Sequence, residues 1–177
     1  LMVLAREGAA AIGDLRYYAD VKATAFDTPV AAAQLGAALA AYGDQRRADA
    51  MFTAAAQLLA RQGTAEAHLW RADYGTNLRD AAALLALATE AGSAAVDAGT
   101  LGGSVASAMA GQRLSTQEAA WALLATHALI DRPGTEPMLS KSEDNDWEGV
   151  IQTWFGAGQS IGFCGTGPNR ADLAYLC

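Results

Sequence analysis

The chain has no basic cluster. Its 12 Lys and Arg are outnumbered by 19 Asp and Glu, for a formal charge of −7. Phosphate recognition needs grouped cations, and Arg46-Arg47 is too small a group, so a nucleic-acid surface is excluded. Cysteine is scarce: Cys164 and Cys177 set no disulfide framework and identify no compartment. Proline occurs four times and β-branched runs are almost absent before residue 150, which argues against a sheet-rich fold. No apolar run reaches the length of a membrane span. Leu1-Met2-Val3-Leu4-Ala5 is too short for a signal core and meets Arg6-Glu7 at once. Beginning on Leu with half a helix in hand, the chain reads as a piece of a longer protein, and its localisation must come from elsewhere.

What remains is rich in alanine and 52% hydrophobic over 177 residues, enough for one domain with a real core and helical in class. Its centre is Thr28 to Gln62, which reads as two helices folded back on each other. Thr28 can cap, Pro29 suits the first helical position, and Val30 to Tyr42 runs on with only Gly36 as a breaker. Gly43 stops this helix and Asp44 opens the next. Leu35, Leu39 and Tyr42 share one stripe; Ala48, Met51, Phe52, Ala55, Leu58 and Leu59 share another. A two-residue connection makes the pair antiparallel.

Around that hairpin, Leu1 to Arg6 reads as the end of a helix closed by Gly8. Asp14 caps a short helix from Leu15 to Lys22 with Leu15, Tyr18 and Val21 inward. His68, Leu69 and Trp70 fall in a looser stretch, Thr64 to Asp73. Tyr74 to Asn77 is a turn, and Asn77 with Asp80 has the spacing of a capping box with Asp in place of Glu. Leu78 to Ala91 is a helix with Leu78, Ala81, Leu84, Leu85 and Ala88 in register. Gly99, Gly102 and Gly103 each weaken a helix by about 1 kcal/mol, so a loop is expected to give way to helix only near Ser104. Ser115 and Glu118 form a true capping box, and Leu114 can staple to Ala119. The helix onward to Ile130 is apolar almost all round, which predicts burial on most sides. The expected core comprises Leu35, Leu39, Phe52, Leu58, Leu84, Leu85, Trp121 and Leu124.

The tail differs. Ser142 to Asp146 is polar and acidic, Trp147 to Phe155 suits a short strand or helix, Gly156 to Gly167 is glycine-rich, and the pattern allows a last helix at Arg170 to Leu176. The fold expected is therefore all-α: antiparallel helical hairpins in residues 1–139, with an irregular tail over 140–177.

No catalytic constellation emerges. His127 with Asp131 at i,i+4 gives two ligands where a tetrahedral metal site needs at least three, and His68 lies far away in sequence. Ser115 is accounted for by its cap and has no base beside it in sequence. Asp14, Asp44 and Asp80 stand at helix starts, where the dipole favours a carboxylate, and capping explains them better than acid–base work. The glycines of 156–162 and 165–167 neither follow a clear strand nor precede Lys-Ser/Thr, so no phosphate loop is expected. Tyr17, Tyr18 and the four tryptophans read as packing residues. No catalytic residue, metal ligand or cofactor site is expected.

Three stretches together resemble the bacterial alpha-2-macroglobulin family: Ile12-Gly-Asp-Leu-Arg-Tyr-Tyr18, Thr28-Pro through Gly43-Asp-Gln-Arg-Arg-Ala48, and Leu114-Ser-Thr-Gln-Glu-Ala-Ala-Trp121. Tyr74-Gly75 with Leu78-Arg-Asp80 also matches. The resemblance covers about residues 1–139 and falls in the later part of the thioester-carrying domain. It implies an α/α toroid, a ring of inner and outer helices, within a periplasmic protease trap. There, bait cleavage frees a thioester that attaches to the protease. The motif Cys-x-Glu-Gln is absent, since Cys164 is followed by Gly-Thr-Gly and Cys177 is terminal. A β-sandwich is expected soon after Pro137-Met-Leu-Ser140, yet the tail from Lys141 matches nothing expected there.

The resemblance thus implies a non-catalytic scaffold piece of a partial toroid. Its partners are other parts of a macroglobulin-like protein or a second copy, with proteases engaged only through the whole protein. The alternative is a tetratricopeptide-like interaction module, suggested by Ala41-Tyr-Gly-Asp44 with Ala48, Phe52, Ala55 and Ala56. A 34-residue period would carry Gly43-Asp44 to Asn77-Leu78, where no such turn recurs. An enzyme on a related helical ring, such as a terpene-cyclase-like lyase, would need acidic clusters of the Asp-x-Asp-Asp kind, which are missing.

Overall fold

Thr28 opens the central hairpin as its side chain predicts, its hydroxyl accepting the Ala31 N–H at 3.4 Å, with Pro29 in the first turn. In this computed structural model, residues 1–63, 71, 73–111 and 113–131 are described, together with the backbone of two short strands near the end. The chain divides into two compact units, Leu1–Thr135 and Glu136–Cys177.

The first unit is all-helical in its described residues. Helices α1 (Met2–Arg6) and α2 (Ile12–Val21) lead through a 3₁₀ turn at Ala23–Ala25 into α3 (Pro29–Ala41). Then come α4 (Gln45–Gly63), α5 (Asn77–Glu90), α6 (Ala98–Met109) and α7 (Thr116–Ile130). Helix α3 packs on α1, α2, α4 and α5, while α5 packs on α3, α4, α6 and α7. Ala32, Ala33, Leu35, Ala38 and Leu39 of α3 meet Ala48, Met51, Phe52 and Ala55 of α4, all buried. Gly36 sets how closely these two helices approach. A Cβ there would stand 3.1 Å from Phe52 Cε1 and 3.2 Å from the Ala48 carbonyl oxygen, inside ordinary contact.

Five of the eight residues expected in the core are buried there: Leu35, Leu39, Phe52, Leu84 and Leu85. Leu58 and Trp121 are half-buried, packed against the core from its rim. Leu124 is wrong: it is 46% exposed. The error extends to the whole of α7, which was expected to be buried on most sides. It buries Ala122, Ala125 and Ala128 and turns Leu123 and Ile130 outward. Periodicity assigns a stripe to an inside only when a neighbour exists to cover it, and among the described helices α7 packs chiefly on α5.

Other expectations also shift. Tyr18 and Val21 are exposed, leaving Leu15 as the buried residue of α2. That helix starts at Ile12 with Ala11 as its N-cap, so Asp14 lies in the first turn and makes no cap bond. Helix α6 starts at Ala98, not near Ser104. The Asp97 carboxylate accepts the Thr100 N–H at 2.5 Å, and Leu101 and Val105 find apolar partners on α5. Cap and burial outweigh the glycine penalty. In the second unit, Phe163–Cys164 pairs antiparallel with Tyr175–Leu176, Phe163 opposite Leu176 and Cys164 opposite Tyr175. A last helix over 170–176 is thereby corrected at its end, where Tyr175 suits a strand. The expectations for 64–70, 132–162 and 165–174, His68 among them, lie outside the described residues, as does Cys177.

Truncating Leu85 to Ala is expected to lower unfolding free energy by about 2–5 kcal/mol, while Leu124→Ala changes it by about 0.5 kcal/mol or less. Urea unfolding of the two variants checks this, and equal losses would overturn the placement of α7's outer face.

Candidate functional site

The densest polar chemistry among the described residues gathers where the chain enters α5. Thr76 is the N-cap, its hydroxyl accepting the Arg79 N–H at 3.1 Å. The next turn carries two charges into the interior: the side chain of Arg79 is 7% exposed and that of Asp80 is fully buried. Two isolated ions could not remain there, so each needs a partner in hydrogen-bonding contact.

Arg71 and Asp73 supply them. Arg71 reaches Asp80 with Nη1 at 2.7 Å and Asp73 with Nε and Nη2 at 3.0 and 2.7 Å. Arg79 Nη2 bonds Asp73 Oδ2 at 2.7 Å and Asp80 Oδ1 at 2.5 Å, and its Nε bonds Asp80 Oδ1 at 2.9 Å. Two cations and two anions thus alternate in a closed ring. Gln117 Oε1 accepts from Arg79 Nη1 at 3.2 Å, bringing in the first turn of α7. The loop itself is shaped by the guanidinium it surrounds. Gly75 donates its N–H to Asp73 Oδ1 at 3.1 Å, and a Cβ on Gly75 would lie 2.1 Å from Arg79 Nη2. Tyr74 before it takes a left-handed backbone, φ 51°.

The electrostatics follow from this geometry. Burial alone would raise the Asp73 carboxyl, but bonds from Arg79, Arg71 and the Gly75 N–H hold it well below the usual carboxylate range. Burial works against charge on Arg71 and Arg79 as well, and their bonds to Asp80 and Asp73 raise both above their ordinary value. A second network ties α2 to α4. Arg47 grips Asp20 through two bonds of 2.8 and 2.9 Å, and Asp44 accepts from Arg16 at 2.8 Å and Arg47 at 3.1 Å. The Arg47 bonds lower the Asp20 carboxyl, and those from Arg16 and then Arg47 lower Asp44.

These partners correct the Asp80 cap and give the Asp44 carboxylate a role beyond its place at the start of α4. Asp80 is an ion-ring member and Thr76, not Asn77, is the cap. Asp44 accepts the Ala48 N–H through its backbone carbonyl at 3.0 Å, while its carboxylate goes to Arg16 and Arg47. The Ser115–Glu118 box is present as expected, with Ser115 Oγ accepting the Glu118 N–H at 3.3 Å and Glu118 Oε2 accepting the Ser115 N–H at 2.7 Å. His127 pairs with Asp131 at 3.0 Å on the surface. It stands twelve residues along α7 from Ser115, about 18 Å away by helical rise, so the two are not brought together. Tyr17 and Tyr18 meet edge to face at 5.8 Å and are both exposed.

Among the described residues, no three His, Cys, Asp or Glu side chains gather as a metal site. The hollow lined by Thr89, Ser93 and Val96 has room for little more than a water molecule. Sequence reading missed Arg71, Asp73 and Arg79 as a group. The signal was present in Arg-x-Asp followed by Arg-Asp across a Tyr-Gly turn, but only folding shows which carboxylate meets which guanidinium.

The ring serves to hold a loop, and its charge gives the stability a definite pH dependence. The folded-state pKa of Asp73 is depressed, so its contribution is complete above the unfolded value of about 3.9 and disappears as pH falls through the lower folded value. Asp73→Asn should therefore lower the melting temperature clearly at pH 7, with the gap to wild type beginning to narrow as pH falls below about 4. Thermal unfolding across pH 3–8 checks this; a gap independent of pH would refute it.

No family model matches the chain, and no solved structure matches it. The chain is 34% identical over 134 residues to alpha-2-macroglobulin of Escherichia coli (strain K12). The match takes in 75% of this chain and 8% of that protein's length. Over this stretch the chain is a relative of bacterial alpha-2-macroglobulin.

Proposed function

We propose that this chain is a helical scaffold segment of a macroglobulin-like protease inhibitor, without catalytic or thioester chemistry of its own. The observation that carries the reading is the 134-residue match to alpha-2-macroglobulin. Charge pairing supports the scaffold role, because the ion ring and the α2–α4 network hold helices and loops in place. Helices α3, α5 and α7 form a row of apolar helices, with Leu123, Leu124 and Ile130 of α7 exposed on the side away from α5. The row suits a partial α/α toroid that continues beyond α7. Leu123, Leu124 and Ile130 are then the face that other parts of the same macroglobulin-like polypeptide cover. In this reading the whole protein, not this segment, meets proteases, and its place is the periplasm, as the resemblance implies.

A thioester needs a Cys thiol joined to a Gln side chain, and neither Cys164 nor Cys177 is followed by Glu-Gln. Incubation with an active protease or with methylamine is expected to leave the intact mass unchanged. A mass adduct on either cysteine without added oxidant would overturn the proposal.

A further inference from the structure

One carboxylate serves two helices. Glu118 Oε2 accepts the Ser115 N–H at 2.7 Å and completes the capping box of α7. Its other oxygen, Oε1, accepts the Thr76 hydroxyl at 2.7 Å. That hydroxyl is itself the N-cap of α5, accepting from the Arg79 N–H at 3.1 Å. A continuous path therefore runs from the α7 backbone at Ser115, through Glu118 and Thr76, to the α5 backbone at Arg79. Arg79 Nη1 returns to α7 at Gln117, closing a second link beside the first.

We propose that Glu118 is a shared cap that couples the starts of α5 and α7, so that loosening either helix end loosens the other. Thr76 has one hydroxyl proton and commits it to Glu118, which leaves its oxygen aimed at the Arg79 N–H. Remove the acceptor and that hydroxyl is free to rotate, so the α5 cap loses its orientation although no atom of α5 has changed. The reverse holds for the carboxylate when Thr76 is lost. Coupling of this kind is reciprocal. Through Arg79, it extends to the ion ring, so the 73–80 turn and the orientation of α7 act as one unit.

The test is native-state hydrogen exchange on the full chain. Glu118→Ala is expected to speed exchange of the Arg79 amide on α5 by about two- to thirtyfold, the range of a lost cap. Thr76→Ala should reciprocally speed the Ser115 and Glu118 amides on α7. Thr76→Ser keeps the hydroxyl and should restore both. Thr28→Ala, which uncaps α3 alone, should leave α5 and α7 unchanged. An unchanged Arg79 amide in Glu118→Ala would overturn the proposal. Should that variant fail to fold, unchanged α7 amides in Thr76→Ala would overturn it as well.

Discussion

Helix α5 has almost no wet side, and most of the structure answers to that constraint. Arg79, Asp80 and every residue from Ala82 to Ala88 are buried, because α3, α4, α6 and α7 all lie against it. A helix so enclosed cannot send its charged residues to solvent. Arg79 and Asp80 must be neutralised where they stand, and Arg71 and Asp73 in the preceding turn do so. The net gain from such a ring over apolar residues is small, since desolvation offsets most of the attraction. Breaking it is another matter, because the abandoned ion stays buried. The turn is thus specified by what it must not leave unpaired, down to the glycine at 75 that gives the Arg79 guanidinium its space.

The same enclosure explains the composition. Where α3 meets α4, the contacts are made by Ala32, Ala33, Ala38, Ala48 and Ala55 as much as by Leu39 and Phe52. Small side chains let helix axes approach and leave the interior filled without large cavities. Around α5, Ala82, Ala86 and Ala125 do the same. Sitting next in the row, α7 has alanines inward and Leu123, Leu124 and Ile130 outward. The outer apolar face of α7 is therefore left exposed, while its alanines fill the contact with α5.

Helix termini join the two levels. Thr28, Thr76, Asp97 and Ser115 each accept a backbone N–H near their helix start, and all four are local events. Among the described residues, the Thr76 and Ser115 caps are tied together through Glu118, because packing sets α7 beside α5 at the point where both begin. The Glu118 carboxyl is accordingly held below its usual range: burial would raise it, and the Ser115 N–H with the Thr76 and Ser115 hydroxyls overcomes that.

Local chemistry was legible without the fold. The Thr28-Pro29 start, the Gly43-Asp44 stop, the Ser115–Glu118 box and the stripes of Leu35, Leu39 and Phe52 all rest on neighbours within a few residues, and the structure shows each. The resemblance was legible too, from the Tyr-Tyr, Gly-Asp and Leu-Ser-Thr-Gln-Glu stretches, and the macroglobulin match agrees with it. What could not be read was anything that depends on a distant partner. Asp80 looked like a cap partner because a carboxylate at a helix start is the cheapest local explanation, yet Arg71 reaches it from another segment, as Arg16 reaches the Asp44 carboxylate at the start of α4. Leu124 looked buried because periodicity counts apolar stripes but cannot count the helices available to cover them. By itself the sequence determined α3, α4, α5 and α7 and most of their ends, since capping and periodicity act within one or two turns. The tertiary structure decided which charges pair, which face of α7 stays open and which two caps share a carboxylate, because those depend on contacts between residues far apart in the chain.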